Sequence, residues 1–409
     1  MKTSLRHYVK KTVPGIITGA ADNDPSGITT YSLSGAVYGY SQLWLMVLAA
    51  PMLIAVQSMS AKIANVRHKG LATIFREQFS PVISWLAMAV LIIVNVATIG
   101  ADILAVSLAF EMLTGIAMVF WILPVVIFVW YLIVFKNYRA LRKFLLLMVL
   151  FFFAYIFSAI MAKPDWLQVS KGLFVPSFPT HDAKGFFAAA VAILGTTITP
   201  YVFFWQAKEE LEEHHSIAAA RSEVKHEDQV NAPGFIFSQI ITIFIMIAAG
   251  ATLYQSGVGL HTATDAARAL APLAGSLASG LFALGIIGAG LLALPILSIS
   301  AAEVVAETFG FHHHGLDNKP KSAKAFYAVA SLMLIGGLLV VITGIDPLKA
   351  LFWSQILAGL ISPLLIALIL WVCNSKSAMG EYTNGWFDNI FGFLTLIVML
   401  TAGILMFAA

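Results

Sequence analysis

Stretches of about 20 apolar residues recur along almost the whole of this chain, and about 20 residues is the length at which a helix crosses the hydrocarbon core of a bilayer. The sequence therefore predicts an all-α polytopic membrane protein with about eleven transmembrane helices. The predicted spans cover residues 13–39, 42–65, 82–111, 117–135, 144–162, 185–207, 234–255, 272–304, 325–344, 348–373 and 387–408.

The composition agrees with a protein that lies almost entirely in lipid. Of the 409 residues, 59% are hydrophobic and 11% are charged, whereas a soluble domain carries about 25% charged residues. The longest predicted loops, residues 163–184 and 208–232, are too short to form a core of their own. We therefore expect a single transmembrane domain over residues 1–409. A net charge of +3 gives no indication of a nucleic-acid partner, and the single cysteine, Cys373, excludes an intramolecular disulfide.

Positive charges are distributed unequally between alternate loops, and this asymmetry predicts the orientation. The basic N-terminal segment leads into an apolar run that lacks a small-residue cleavage pattern. We therefore expect this apolar run to be retained as the first helix. The N-terminus is then cytoplasmic and the C-terminus outside, in the plasma (inner) membrane of a prokaryote. The predicted cytoplasmic segments contain Lys62, Arg67, Lys69, Arg76, Lys136, Arg139, Arg142, Lys143, Lys208, Arg221, Lys225, Lys319, Lys321, Lys324 and Lys376, against Lys163, Lys171, Lys184, Arg268 and Lys349 on the other side.

The first span contains the polar sequence Asp-Asn-Asp-Pro-Ser-Gly at residues 22–27. A carboxylate in hydrocarbon must pair, line a water-filled cavity or bind a cation. The proline and glycine break the helix and free backbone carbonyls, which is tolerated at membrane depth only inside protein or beside a cavity. A proline kink is the alternative explanation, but the two acids, Asp22 and Asp24, favour a cation site.

The sixth span is interrupted by a similar polar segment, Gly-Thr-Thr-Ile-Thr-Pro-Tyr at residues 195–201. Two interrupted helices at corresponding positions in the two halves are typical of an inverted-repeat transporter that binds its substrate at the breaks. The repeats would cover about residues 12–162 and 184–373, with an extra helix over about 386–408. For this span alone, a simple proline kink remains an equal alternative.

Other polar residues within or near the spans allow more than one interpretation. Asp102 is a second ion ligand, a proton-binding site or a partner for a polar group such as Asn95. The pair at residues 354–355, Ser-Gln, is either a ligand or a polar contact between helices. Glu303 and Glu307 share a helix face near a span end, where we expect their side chains to reach the membrane interface.

Two further clusters lie outside the predicted spans. We expect the acidic run at residues 209–213 with His214 and His215 to be a solvated helical extension, with a metal sensor as the alternative. The three histidines at residues 312–314 could bind metal weakly, but a solvated loop is expected. No Ser-His-Asp arrangement, HExxH motif or phosphate-binding glycine loop occurs in a convincing context, so the chain is not expected to be an enzyme.

These features together resemble the Nramp family of divalent-metal transporters. The resemblance covers nearly the whole chain, and it implies a LeuT-type fold with an inverted 5+5 repeat and broken helices 1 and 6, which can work as a monomer. It is most specific at residues 24–27, Asp-Pro-Ser-Gly, where the family has Asp-Pro-Gly-Asn, and at residues 199–201, Thr-Pro-Tyr, where it has Met-Pro-His. Asp102 and Gln355 also fall at or near polar family positions. The resemblance implies that Asp24 coordinates the ion with help from the backbone carbonyl near Thr196.

The departures from the family pattern bear on the choice of ion. Gly27 replaces the family asparagine, Thr199 the methionine and Tyr201 the histidine, while Ala105 stands in place of a second acid. A thioether favours soft transition metals, and its loss leaves only oxygen donors, which suit Mg²⁺ or Ca²⁺. The pattern is most like the Nramp-related magnesium transporter branch. It predicts transport of partly hydrated Mg²⁺ (with Mn²⁺ as the alternative ion), no bound cofactor, and ion-binding positions at Asp22, Asp24, Gly27, Asp102, Thr196, Thr199, Tyr201 and Gln355.

The same departures predict that uptake is not obligatorily coupled to protons, because the family's histidine and second acid are absent at the matching positions. A divalent ion moving down about 100 mV gains roughly 4.6 kcal/mol, so coupling is not required energetically. Asp22 and Asp102 remain as groups that could titrate. The alternatives are a proton-coupled Mn²⁺/Fe²⁺ symporter and a cation-coupled amino-acid carrier.

Overall fold

A computed structural model describes residues 23–135, 152–178, 182–213, 227–257, 265–266, 270, 275, 278–311 and 320–408. The predicted class is confirmed, since the regular elements of these residues are helices. In chain order they are α1 Pro25–Tyr38, α2 Leu43–Arg67, α3 Leu71–Gln78, α4 Pro81–Thr114, α5 Val119–Phe135, α6 Phe153–Met161, α7 Trp166–Phe174, α8 Ala183–Thr197, α9 Pro200–Glu213, α10 Glu227–Ala249 with a π-helical turn at Gly250–Tyr254, α11 Ala278–Phe309, α12 Lys324–Ile342, α13 Pro347–Asn374, α14 Lys376–Met379 and α15 Trp386–Ala408.

The predicted spans that lie within the described residues correspond to helices. Eight helical segments are long and apolar enough to cross a bilayer, with α8 and α9 counted as one broken span, and α5 is a shorter apolar helix. Only 14 residues of the first span and nine of the fifth are helices in the described part of the chain, as α1 and α6. The short helices α3 and α7 were not predicted, and α7 lies in what we expected to be a loop.

The break predicted in the sixth span is confirmed. Helix α8 ends at Thr197, Ile198 has a non-helical backbone (φ −117°, ψ 62°), and α9 begins at Pro200. In the first span, α1 begins at Pro25 directly after the extended residue Asp24. Proline is favoured in a first helical turn because its missing N–H would have no intrahelical partner there.

Close helix contacts hold the second break against α13. A Cβ on Gly195 would lie 2.1 Å from the carbonyl oxygen of Gln355, and one on Gly359 would lie 2.3 Å from that of Val191. Only glycine permits such an approach, as at the small-residue interfaces common between membrane helices. On its other side α13 packs against α4, which also contacts α11 and α12. The long helix α4 therefore forms a support on which the broken helices are assembled.

One end of the bundle carries Lys62, Arg67, Arg76 and Lys208, and we refer to it as the basic end. The expectation of interfacial side chains for Glu303 and Glu307 is wrong there. Both are buried: Glu303 pairs with Lys208 of α9 at 3.2 Å, and Glu307 accepts a bond of 3.0 Å from the backbone N–H of Thr73 in α3. Their partners on neighbouring helices remove the need for contact with water.

The acidic run after residue 208 is helical as predicted, since α9 extends to Glu213. The prediction that the side chains of this run are solvated is wrong at two positions. Glu209 is 2% exposed, and Glu210 accepts hydrogen bonds of 2.9 Å from Asn65 and from Gln206. The histidines at 214–215 and 312–314 lie outside the described residues.

Candidate metal-binding site

Asp24 is placed by the start of α1. Its side chain is 1% exposed and accepts a hydrogen bond of 2.6 Å from the backbone N–H of Gly27, which makes it the N-cap of the helix. An N-cap aspartate satisfies an N–H that has no partner within the helix. One oxygen is therefore held by the backbone of α1, and the carboxylate retains further lone pairs for a ligand.

Asp102 approaches Asp24 from the middle of α4. It is fully buried, and its Oδ1 accepts a bond of 2.8 Å from the hydroxyl of Ser26 in the first turn of α1. The two carboxyl groups lie close enough to interact electrostatically. Ser26, two residues after Asp24, therefore bonds Asp102 across the α1–α4 contact. The proposed partnership of Asp102 with Asn95 is wrong, because Asn95 donates to the carbonyl of Leu297 and to Ser300 of α11.

The second break contributes hydroxyl and carbonyl oxygens. The hydroxyl of Thr199 donates to the carbonyl of Thr196 at 2.5 Å, which leaves the hydroxyl's lone pairs as acceptors. The side-chain oxygen of Thr196 itself is buried without a hydrogen-bond partner. Tyr201, in the first turn of α9, is fully buried. The phenol of Tyr31 in α1 lies 2.9 Å from the hydroxyl of Thr197, so the two broken helices meet beside the second break.

Helix α13 adds a polar pair that continues this network. The hydroxyl of Ser354 lies 3.5 Å from that of Ser26, and the amide of Gln355 donates to Ser354 at 3.3 Å. The carbonyl oxygen of the Gln355 side chain is buried without a partner. The pair thus forms a polar contact between helices and also presents a donor oxygen of the kind that hard cations bind.

The charges of the two acids are not balanced by a basic side chain in the described part of the chain, where the ion pairs involve other residues. Nor do three or more His, Cys, Asp or Glu side chains gather there into a metal cage. The cluster instead combines two carboxylates with neutral oxygens. With both carboxyl groups ionised, such a set carries two negative charges, which a divalent cation would neutralise.

Sequence reasoning left out two residues of this region. Ser26 was noted only as part of the broken motif, and its bond to Asp102 depends on how α1 and α4 pack. Asn23 precedes Asp24 and is fully buried; its amide nitrogen donates to Ser238 of α10 at 2.9 Å, while its oxygen has no partner. A buried amide beside a carboxylate was a signal that could have been used. Asp22 lies outside the described residues.

A helical membrane bundle in which two broken helices meet at buried polar residues defines a transporter of the LeuT-type fold. Residues 15–409 match the family model described as natural resistance-associated macrophage protein-like, and the chain belongs to this Nramp family. The family consists of membrane transporters of metal ions and not of enzymes.

One relative is similar in sequence, and two solved structures are similar in fold. The chain is 26% identical over 403 residues to the divalent metal cation transporter MntH of Pectobacterium carotovorum, covering 97% of this chain and 94% of that protein. Its fold is similar to the crystal structure of an Eremococcus coleocola manganese transporter in complex with an aromatic bis-isothiourea compound, with a TM-score of 0.83 at 18% identity over 99% of this chain and 87% of the other. It is also similar to Mhp1, a nucleobase-cation-symport-1 family transporter, with a TM-score of 0.63 at 14% identity over 97% and 90% of the two chains.

Proposed function

We propose that this protein is a divalent metal cation transporter that carries Mg²⁺ into the cell as a partly hydrated ion, without obligatory proton coupling. The observation that carries the proposal is the pair of buried carboxylates, Asp24 at the start of α1 and Asp102 of α4, with Asp102 bonded to Ser26 two residues after Asp24. Their two charges match a divalent ion, and burial without a basic partner is costly unless a cation binds.

The donor set favours a hard ion. Carboxylate, hydroxyl and amide oxygens from Asp24, Thr199 and Gln355 are ligands that suit Mg²⁺. Mg²⁺ gives up its water shell reluctantly and usually keeps several waters in protein sites. Gly27 and Thr199 are smaller than the asparagine and methionine of the family, which supports a partly hydrated ion. The relatives named for manganese or divalent metals support a divalent substrate, and Mn²⁺ also accepts oxygen ligands.

The lack of obligatory proton coupling rests on the residues that flank these acids. Ala105, one turn after Asp102, and Tyr201, after the second break, cannot accept a proton at neutral pH as a carboxylate or histidine can. The membrane potential alone supplies roughly 4.6 kcal/mol per divalent ion at about 100 mV. Inward Mg²⁺ flux therefore needs no second driving ion.

Uptake into proteoliposomes tests the proposal directly. Vesicles would contain a Mg²⁺-sensitive and a pH-sensitive dye, with a negative interior potential set by a K⁺ gradient and valinomycin. We expect Mg²⁺ entry without acidification. Mg²⁺-dependent proton influx would contradict the uncoupled mechanism. Mn²⁺ entry with acidification, unaffected by excess Mg²⁺, would contradict the magnesium assignment and favour a proton-coupled transition-metal symporter.

A further inference from the structure

The side-chain oxygen of Asn23 is a buried polar atom to which the proposed site assigns no role. Asn23 is fully buried, and its Oδ1 has no hydrogen-bond partner. A buried carbonyl oxygen that has lost its water without gaining a donor costs free energy. Each such atom in a folded protein calls for an explanation, and a bound cation is one that fits an oxygen acceptor.

The orientation of this amide is set by one contact. The nitrogen Nδ2 donates to the hydroxyl of Ser238 in α10 at 2.9 Å. Because the nitrogen and oxygen of an amide diverge from the same carbon, anchoring the nitrogen on α10 turns the oxygen away from that helix. Helix α1 packs against α10 and also against α4, α8 and α13, which carry the other polar residues of the site.

We propose that Asn23 supplies its side-chain oxygen as a ligand to the transported cation beside Asp24, and that Ser238 is the positioning residue that holds the amide in this orientation. The inference rests on the proposed function, since it assigns a further ligand to the same site. A neutral amide oxygen is a hard donor. It adds to the coordination of Mg²⁺ without adding a third negative charge to the two of Asp24 and Asp102.

Three variants separate a ligand from a residue that is only structural. Asn23→Leu removes the oxygen together with the nitrogen that bonds Ser238, at nearly constant size. Asn23→Asp keeps an oxygen in the same place and adds a charge, and Ser238→Ala removes only the anchor. Calorimetric titration of the purified protein with Mg²⁺, and separately with Mn²⁺, gives the affinity of each variant. We expect Asn23→Leu to weaken Mg²⁺ binding about tenfold or more, the range for losing a hydrogen-bonding or liganding oxygen to a charged partner.

The other two variants should differ from Asn23→Leu in a defined way. Asn23→Asp should bind Mg²⁺ at least as tightly as the unmodified protein, because the oxygen remains and the charge increases. Ser238→Ala should weaken binding less than Asn23→Leu, since the oxygen is still present. If Asn23 serves only to bond α10, Ser238→Ala and Asn23→Leu would bind Mg²⁺ equally weakly and Asn23→Asp would bind it less tightly than the unmodified protein, and the inference would be overturned. If Asn23→Leu does not fold, the Mg²⁺ affinity of Asn23→Asp decides the matter, and an affinity below that of the unmodified protein overturns the inference.

The titrations also distinguish this inference from the proposed function. Mg²⁺ binding that is the same in Asn23→Leu and the unmodified protein would overturn the role of Asn23 and leave the magnesium assignment standing. Binding of Mn²⁺ but not Mg²⁺, weakened by Asn23→Leu, would support the ligand and contradict the magnesium assignment. If the unmodified protein binds neither ion, both proposals fail.

Discussion

Buried carboxylates occur in two regions of this molecule, and the regions differ in how the charges are balanced. At the helix breaks, Asp24 accepts a hydrogen bond from a backbone N–H, Asp102 accepts one from a hydroxyl, and the two acids interact electrostatically. At the basic end, Glu303 and Asp388 each form an ion pair with a lysine on another helix, Lys208 and Lys62 respectively.

The difference indicates separate roles for the two regions. An acid that pairs with a lysine within the fold is already neutralised, and removing either partner leaves a buried charge. Two acids that share a site without a lysine remain available to a cation from outside. The basic end therefore holds the helices together, while the breaks are where we propose that an ion binds and is released.

The largest expected effect comes from removing one charge at the breaks. Asp24→Asn should lower Mg²⁺ uptake by about 100-fold or more, since losing even a hydrogen-bond partner of a metal ligand costs up to about that much. Asparagine still caps a helix well, so the fold should be kept. Uptake into proteoliposomes measures the loss.

The chain offers a matched control for this variant. Asp346 also precedes a proline, caps α13 and accepts a bond from the N–H three residues on, at 3.1 Å, but it is exposed. Asp346→Asn should leave uptake unchanged. Equal losses in the two variants would mean that capping, and not ion binding, explains the role of Asp24. The family resemblance also implies that Asp24→Ala abolishes transport while Asp22→Ala weakens it.

At the basic end, Lys62→Met should act on stability. Lys62 and Asp388 are mostly buried and pair directly between α2 and α15. Removing the lysine leaves the carboxylate without its counter-charge, and we expect the free energy of unfolding to fall by about 3 kcal/mol. Denaturant unfolding in detergent measures the change. Mg²⁺ affinity should stay the same. A loss of free energy of Mg²⁺ binding larger than the loss of free energy of unfolding would contradict separate roles for the two regions.

A smaller change at the breaks concerns which ion is bound. Thr199→Met replaces a hydroxyl with a thioether, a soft ligand. The ratio of Mn²⁺ or Cd²⁺ affinity to Mg²⁺ affinity should rise by about tenfold, of the order expected when one ligand changes in hardness. Calorimetry with each ion gives the ratio. Thr197→Val, one residue before the unwound segment, serves as a control that removes a nearby hydroxyl without adding sulfur.

The sequence predicted the helix breaks more fully than the contacts at the basic end. The breaks were visible because proline and polar residues interrupt apolar runs, and acids within such runs stand out by their cost in lipid. The partners at the basic end were not visible, since an acid near a span end looks the same whether it reaches the interface or meets a lysine on another helix. The side chain of Glu303 was wrongly predicted to reach the interface for that reason. The Ser26–Asp102 bond was missed likewise, because it joins positions 76 residues apart that only packing brings together.

The smallest expected effect tests whether burial decides the importance of an ion pair at the basic end. Glu77 bonds Arg67 at 2.9 Å and Lys69 at 2.5 Å, but its side chain is 30% exposed and that of Lys69 is 45% exposed. Water and salt screen such pairs, so Glu77→Gln should lower stability by about 0.5 kcal/mol and less at high ionic strength. Denaturant unfolding at low and high salt measures both values. A loss as large as that of Lys62→Met would mean that the whole charged network, and not its buried members, holds this end together.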